Sequence, residues 1–234
     1  MIKFHPRPEQ LTEFAQGGLS PVESIMISAH CDMCTRCQTI VRQEAAMQAE
    51  QLLYADASME EQPAELKQQF DTMLSQITSL DRPLRPAPSA TTSVSSALPA
   101  YIELEGRQFV VPKTLRKFVS GMGNWSSLVG HLWQAPIELN TGGAANFIFM
   151  GQGGTVPEHT HKGSEYTLVL DGHFSDGINH YQAGDLIYMD DNKTHTPRSD
   201  DINGCLVFSI LDQPLHFTSG LARLLNPFSQ LFFR

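Results

Sequence analysis

The chain has 234 residues, 41% apolar and 18% charged, a balance that supports a packed core and excludes wholesale disorder. No apolar run approaches the roughly 18–20 residues of a membrane helix, and no apolar stretch follows the first charges, so neither a membrane contact nor a signal peptide is expected. The net charge of −9, without a Lys/Arg cluster, argues against direct nucleic-acid binding, and the expected compartment is the cytoplasm, where cysteines stay reduced.

Charge and chemistry are unevenly spread. Residues 1–80 hold 5 Lys/Arg against 11 Asp/Glu, a net of −6, and residues 81–234 hold 11 against 14, a net of −3. Three of the four cysteines, Cys31, Cys34 and Cys37, lie close together, while seven of the nine histidines follow residue 130. Two modules with separate chemistry are expected.

The first 80 residues read as helices. Pro8 to Gly17 carries Leu11, Phe14 and Ala15 on one stripe and stops at Gly17-Gly18. Ser20-Pro21-Val22-Glu23 has the form of a capping box with proline at the first helical position, so a second helix starts there, with Val22, Ile25, Met26 and Ala29 on one face. A third is expected from about Cys37 to Tyr54, with Ile40, Val41, Ala45, Ala49 and Leu52 inward. A fourth carries Leu66, Phe70, Met73, Ile77 and Leu80 at helical spacing. Residues 81–100 hold four prolines, four serines and two threonines and read as a linker. Beyond it come short strands between turns, at 101–104, 108–111, 145–150, 166–170, 185–189 and 205–211. Many short strands without intervening helices predict an all-β sandwich or barrel. The fold class is therefore multidomain α + β, with a helical domain at 1–80, a linker at 81–100 and an all-β domain with a short tail at 101–234.

The first candidate site is His30-x3-Cys34-x2-Cys37. Two thiolates separated by two residues can wrap one tetrahedral zinc, and a histidine one helical turn earlier lies on the same side. A closed zinc site takes four ligands. Cys31 competes for the fourth place, but its side chain leaves a helix about 100° from His30. His5, the other histidine before residue 130, completes the set His5, His30, Cys34 and Cys37. An acidic helical segment with a thin core gains stability from such a staple.

The stretch from Leu11 to Val41, with these motif residues, resembles the N-terminal segment of the zinc-binding anti-sigma factors. The resemblance implies that the helical unit wraps a group IV (extracytoplasmic-function) sigma factor and blocks its access to RNA polymerase. On that reading the fourth helix offers Leu66, Phe70, Met73 and Ile77 to the partner, and the acidic excess suits a basic, DNA-binding sigma surface. The alternative for this stripe is closure of the domain's own core.

The second candidate site is His159-x-His161-x3-Glu165, preceded by Gly153 and followed by Gly172, with Gly184 and His195 downstream. On a strand, His159 and His161 face the same side. Three imidazoles and a carboxylate suit zinc, iron, manganese or nickel. The first part meets the cupin motif Gly-x5-His-x-His-x3-Glu-x6-Gly in full. Gly184 and His195 fit the second cupin motif, where Asp190 and Asn192 replace its proline and glycine. The resemblance implies a jelly-roll-like cupin barrel. A zinc anti-sigma segment, a linker and a metal cupin in that order resemble the ChrR group of anti-sigma factors. In that group the cupin is needed for the response to reactive oxygen species, notably singlet oxygen.

The expectation is a non-enzymatic regulator that releases its sigma factor when the cupin metal site senses an oxidant. Cys31, beside the zinc ligands, offers a second, thiol-based route. The alternative is a cupin enzyme such as a dioxygenase with an accessory zinc domain. The apolar tail Leu221 to Phe233 is expected to pack against the barrel or a second subunit, the latter giving a homodimer through the cupin.

Overall fold

A computed structural model describes residues 1–55, 64–79, 100–128, 130–139, 143–161, 163–190 and 194–218. Leu80, nearly all of the expected linker and the tail Leu221 to Phe233 lie outside the described residues.

The N-terminal region is helical. α1 spans Pro8–Ala15, α2 Pro21–Met33, α3 Thr35–Ala55 and α4 Ala64–Ser79. α2 starts as the sequence predicts. Ser20 Oγ accepts from the Glu23 N–H, the Glu23 carboxylate accepts from the Ser20 N–H, and Pro21 takes the first helical position. Ile40 and Val41 of α3 are partly buried, as expected, but Ala45, Ala49 and Leu52 are exposed. The inward face of α3 thus ends within its first two turns.

After residue 100 the chain is mostly strand. β1 (Tyr101–Leu104) and β2 (Arg107–Val110) form a hairpin, followed by a 3-10 turn at Lys113–Leu115 and the short α5 (Arg116–Val119). The strands that follow are β3 (Ser126–Ser127), β4 (Leu132–Ile137), β5 (Ala144–Met150), β6 (His159–Thr160) and β7 (Glu165–Asp171). Then come β8 (His173–Ser175), β9 (His180–Gln182), β10 (Leu186–Met189), β11 (Thr194–His195), β12 (Cys205–Leu211) and β13 (His216–Phe217). Among the described residues, one sheet runs β10-β7-β12-β5-β4-β3, a second runs β11-β6-β13, and β8 pairs with β9. Every pairing is antiparallel, as in a jelly roll.

The central strands explain how the chain packs. All seven residues of β12, Cys-Leu-Val-Phe-Ser-Ile-Leu, are buried. Alternate side chains point to opposite faces, so both faces of the sheet must be covered. Cys205 and Val207 join Met150, Val169, Ile187 and Met189 on one face. Leu206, Phe208 and Ile210 join Phe147, Phe149 and Leu168 on the other, in one core with Leu11, Met26, Ile27 and Ala29 of α1 and α2. α1 and α2 cover the outer face of the sheet.

By compactness the chain divides into two units. Met1–Ala45 packs with Leu98–Arg234 in one unit, and Ala46–Ala97, with the end of α3 and all of α4, forms the other. Among the described residues no helix is long and apolar enough to cross a membrane.

Candidate functional site

Two clusters of metal-ligating side chains lie in the first unit. The first is His5, His30, Cys34 and Cys37, whose ligand atoms all fall within 4.8 Å of one another. His30 lies in the last turn of α2, Cys34 breaks the helix in extended conformation at φ −117 and ψ 100, and Cys37 lies in the first turn of α3. That break folds both sulfurs back towards His30. His5 arrives from a strap along the barrel, where the Leu186 N–H donates to the Phe4 carbonyl.

His5 Nδ1 lies 3.5 Å from Cys34 Sγ and 3.4 Å from Cys37 Sγ, and His30 Nε2 lies 3.4 Å from both Cys37 Sγ and His5 Nδ1. Zinc bonds of about 2.0–2.3 Å to nitrogen and sulfur give tetrahedral edges of roughly 3.3–3.8 Å, so the cluster fits such an ion. His30 Nδ1 faces the Gly184 carbonyl at 2.8 Å, which places its proton there and leaves Nε2 as a free donor to a metal. Burial pulls His30 down to about 4, against the Gly184 bond, so the ring is neutral. Burial, then neighbouring Cys34, pushes the Cys37 thiol up to about 12, so a metal must displace its proton.

Cys31 points elsewhere. It sits in the apolar core, and burial, then Cys34 and Asp32, pushes its thiol up to about 11. A protonated, buried thiol is a poor nucleophile, which weakens the thiol route to sensing.

The second cluster is His159, His161, Glu165 and His195. His159 and His195 are direct register partners on β6 and β11, and Glu165 opens β7 of the larger sheet, so the ligands meet between the two sheets. His195 Nε2 lies 2.9 Å from His159 Nε2 and 3.0 Å from His161 Nε2, and His161 Nε2 lies 3.1 Å from Glu165 Oε2. His159 Nδ1 faces the Pro157 carbonyl at 2.8 Å, which keeps its proton there. Burial, then His195, pulls His159 down to about 4. One proton on neutral His195 can serve only one of its two neighbours, and His159 has none to offer from Nε2. No placement of protons on neutral rings satisfies both contacts, whereas a central cation does. Right-angle bonds of about 2.1 Å give edges of roughly 3.0 Å, which suits a site with room for more than four ligands.

The carboxylate is well supported. Thr167 and Ser209 hydroxyls each lie 2.8 Å from Glu165 Oε1. Burial pushes Glu165 up, but the three histidines, His161 foremost, outweigh it and hold the group below its ordinary value. Thr167 and Ser209 were not singled out in the sequence. Their signal is a lone polar residue inside an apolar strand, in Tyr-Thr-Leu-Val and Phe-Ser-Ile. Asn146, the register partner of Ser209, is 1% exposed and its amide has no hydrogen-bond partner among the described residues. An apolar cavity beside the cluster is lined by Leu132, Ile148, Met150, Ile187 and Met189, together with His159, Glu165 and His195.

The stripe expected to meet a partner is open. Leu66, Phe70, Met73 and Ile77 on α4 are each at least half exposed, with Leu74 beside them at 48%.

Residues 120–214 match the family model of the ChrR cupin-like domain. The anti-sigma-E factor ChrR of Cereibacter sphaeroides is 29% identical over 231 residues, 98% of this chain and 99% of that protein. A crystal structure of Rhodobacter sphaeroides SigE in complex with the anti-sigma ChrR matches 91% of this chain and 100% of that one, with a TM-score of 0.61 and 25% identity.

Proposed function

We infer that this chain, ChrR-like over nearly its whole length, is an anti-sigma factor that sequesters a group IV sigma factor in the cytoplasm. The observation that carries the reading is the end-to-end likeness to a curated anti-sigma factor, in sequence and in a complex with its sigma partner. The apolar stripe Leu66, Phe70, Met73 and Ile77, exposed among the described residues, supports a docking role for α4, because contiguous exposed apolar surface marks interaction sites. On this reading the segment from α1 to α4 holds the sigma factor, with zinc on His5, His30, Cys34 and Cys37. A divalent metal on His159, His161, Glu165 and His195 makes the cupin the sensor of reactive oxygen species.

Co-purification of the metal-loaded chain with the extracytoplasmic-function sigma factors of its source tests this directly. A complex that persists in His159→Ala/His161→Ala but no longer dissociates under oxidant supports the cupin as sensor. The cavity beside the cupin cluster favours one other reading, a cupin oxygenase. Steady oxygen uptake with a small apolar substrate, abolished by the same substitutions, supports that reading instead.

A further inference from the structure

The N-terminal metal cluster is held from the barrel side by two consecutive residues, Gly184 and Asp185, in the turn between β9 and β10. Gly184 supplies the carbonyl that fixes His30 at 2.8 Å. Asp185 is fully buried, and its Oδ1 accepts the N–H groups of Lys3 at 2.7 Å and Phe4 at 2.9 Å. Its Oδ2 accepts the Gln182 N–H at 2.8 Å, which fixes the carboxylate within its own turn. His5 follows Phe4 directly, so the carboxylate sets the last backbone groups before that histidine. The Phe4 ring packs on Tyr181 of β9 at 4.7 Å, and Ile2 lies over Gly184. Gly184 has φ +93, and a Cβ there would meet Ile2 Cδ1 at 2.4 Å. The position needs glycine both for its backbone and for the approach of the strap.

We propose that the Gly184–Asp185 turn of the barrel is the outer support of the N-terminal metal site, with Asp185 a positioning residue for His5 and Gly184 for His30. Both histidine ligands are then oriented by the cupin, while the two thiolates come from the helices. The proposal rests on the reading of His5, His30, Cys34 and Cys37 as metal ligands. It gives the barrel a direct hold on that metal. β10 begins beside Asp185 and ends at Met189, the register partner of Glu165 in the cupin cluster. A shift of β10 against β7 therefore moves the turn on which both histidines rest.

Cobalt(II) is the probe, because only the N-terminal site offers thiolates and so only that site gives a sulfur-to-cobalt charge-transfer band. The full-length chain is loaded with cobalt, and loss of the band to a chelator is timed, with cupin-bound metal as the internal reference. Outer-shell supports change metal affinity by about 10–100-fold. Asp185→Ala is expected to release thiolate-bound metal about tenfold faster or more, with cupin metal retained. Asp185→Asn keeps an acceptor for Lys3 and Phe4 and is expected to fall between Asp185→Ala and the parent. A folded Asp185→Ala protein whose band decays within about twofold of the parent overturns the proposal. Where Asp185→Ala does not fold, Lys3→Pro decides. It removes one donor to Asp185 without altering the barrel, so faster loss supports the proposal and an unchanged rate overturns it. A parent protein with no charge-transfer band refutes the metal reading itself, which is a separate outcome.

Discussion

α2 and α4 both carry apolar side chains at helical spacing, yet the chain uses them in opposite ways. Met26, Ile27 and Ala29 of α2 are fully buried against the outer face of the large sheet. Leu66, Phe70, Met73 and Ile77 of α4 are at least half exposed. Helical spacing alone states only that a face wants cover. What covers it depends on the rest of the molecule, here on a sheet whose central strand is apolar at both faces. The α2 face is used in folding, and the α4 face is exposed among the described residues.

The comparison extends to the α2 end that carries the candidate metal ligands, where the largest effect is expected. Structural zinc sites contribute on the order of 10 kcal/mol to the folding of small domains. Cys34→Ser or Cys37→Ser should lose the metal of the N-terminal cluster and retain that of the cupin, as read by elemental analysis. Loss of both metals together would show that the clusters are not separate.

Substitutions on the two faces should then diverge. Met26→Ala, at a fully buried site, is expected to cost about 2–5 kcal/mol of stability in denaturant unfolding. Phe70→Ala with Met73→Ala should change stability by less than about 1 kcal/mol, because exposed side chains carry little folding energy. The same pair should weaken sigma binding by about 2–4 kcal/mol if it forms the centre of the interface. An unfolded double variant would mean that α4 closes a core of its own.

Acid should act on the buried histidines. His30 and His159 sit near 4 in the folded, metal-free chain against an ordinary value of 6.5, because burial disfavours their charged forms. Between those values the unfolded chain binds more protons, so stability is fully present above about 6.5 and falls as pH drops towards 4. Unfolding of the chelator-treated protein across that range should show stability decreasing with acid. His159→Gln should flatten part of the slope.

The smallest expected effect is at the support of Glu165. Thr167→Val and Ser209→Ala each remove one of the two hydroxyls at Oε1. Each should weaken cupin metal binding by about tenfold and leave the N-terminal metal untouched. Competition with a metal-selective chelator measures it.

Much of this arrangement is legible in the sequence, for identifiable reasons. The capping box at Ser20 and the ligand spacings are local, so they survive without knowledge of the fold. His5 is placed by chemistry, because a fourth ligand was needed and His5 is the only histidine besides His30 before residue 130. β4 was not among the expected strands, since Pro136 interrupts its pattern; it lies beyond the residues paired with β3. β6, β11 and β13 have two residues each, too few to show a period. The packing of α1 and α2 on the barrel has only an indirect signal, the apolar residues at both alternations of β12, interrupted by Ser209. The hold of Gly184 and Asp185 on His30 and His5 spans more than 150 residues, as at His30 and Gly184 with a separation of 154, and no local pattern records it.

The central claim is that this chain sequesters a sigma factor through an open helical face. Titration calorimetry of the full-length, metal-loaded protein against the extracytoplasmic-function sigma factors of its source, taken one at a time, tests it most directly. The account predicts a stoichiometric complex with at least one of them, weakened at least tenfold by Phe70→Ala with Met73→Ala in a protein that remains folded. Heat of binding from none of them would contradict the account, and undiminished binding by the double variant would remove α4 from it.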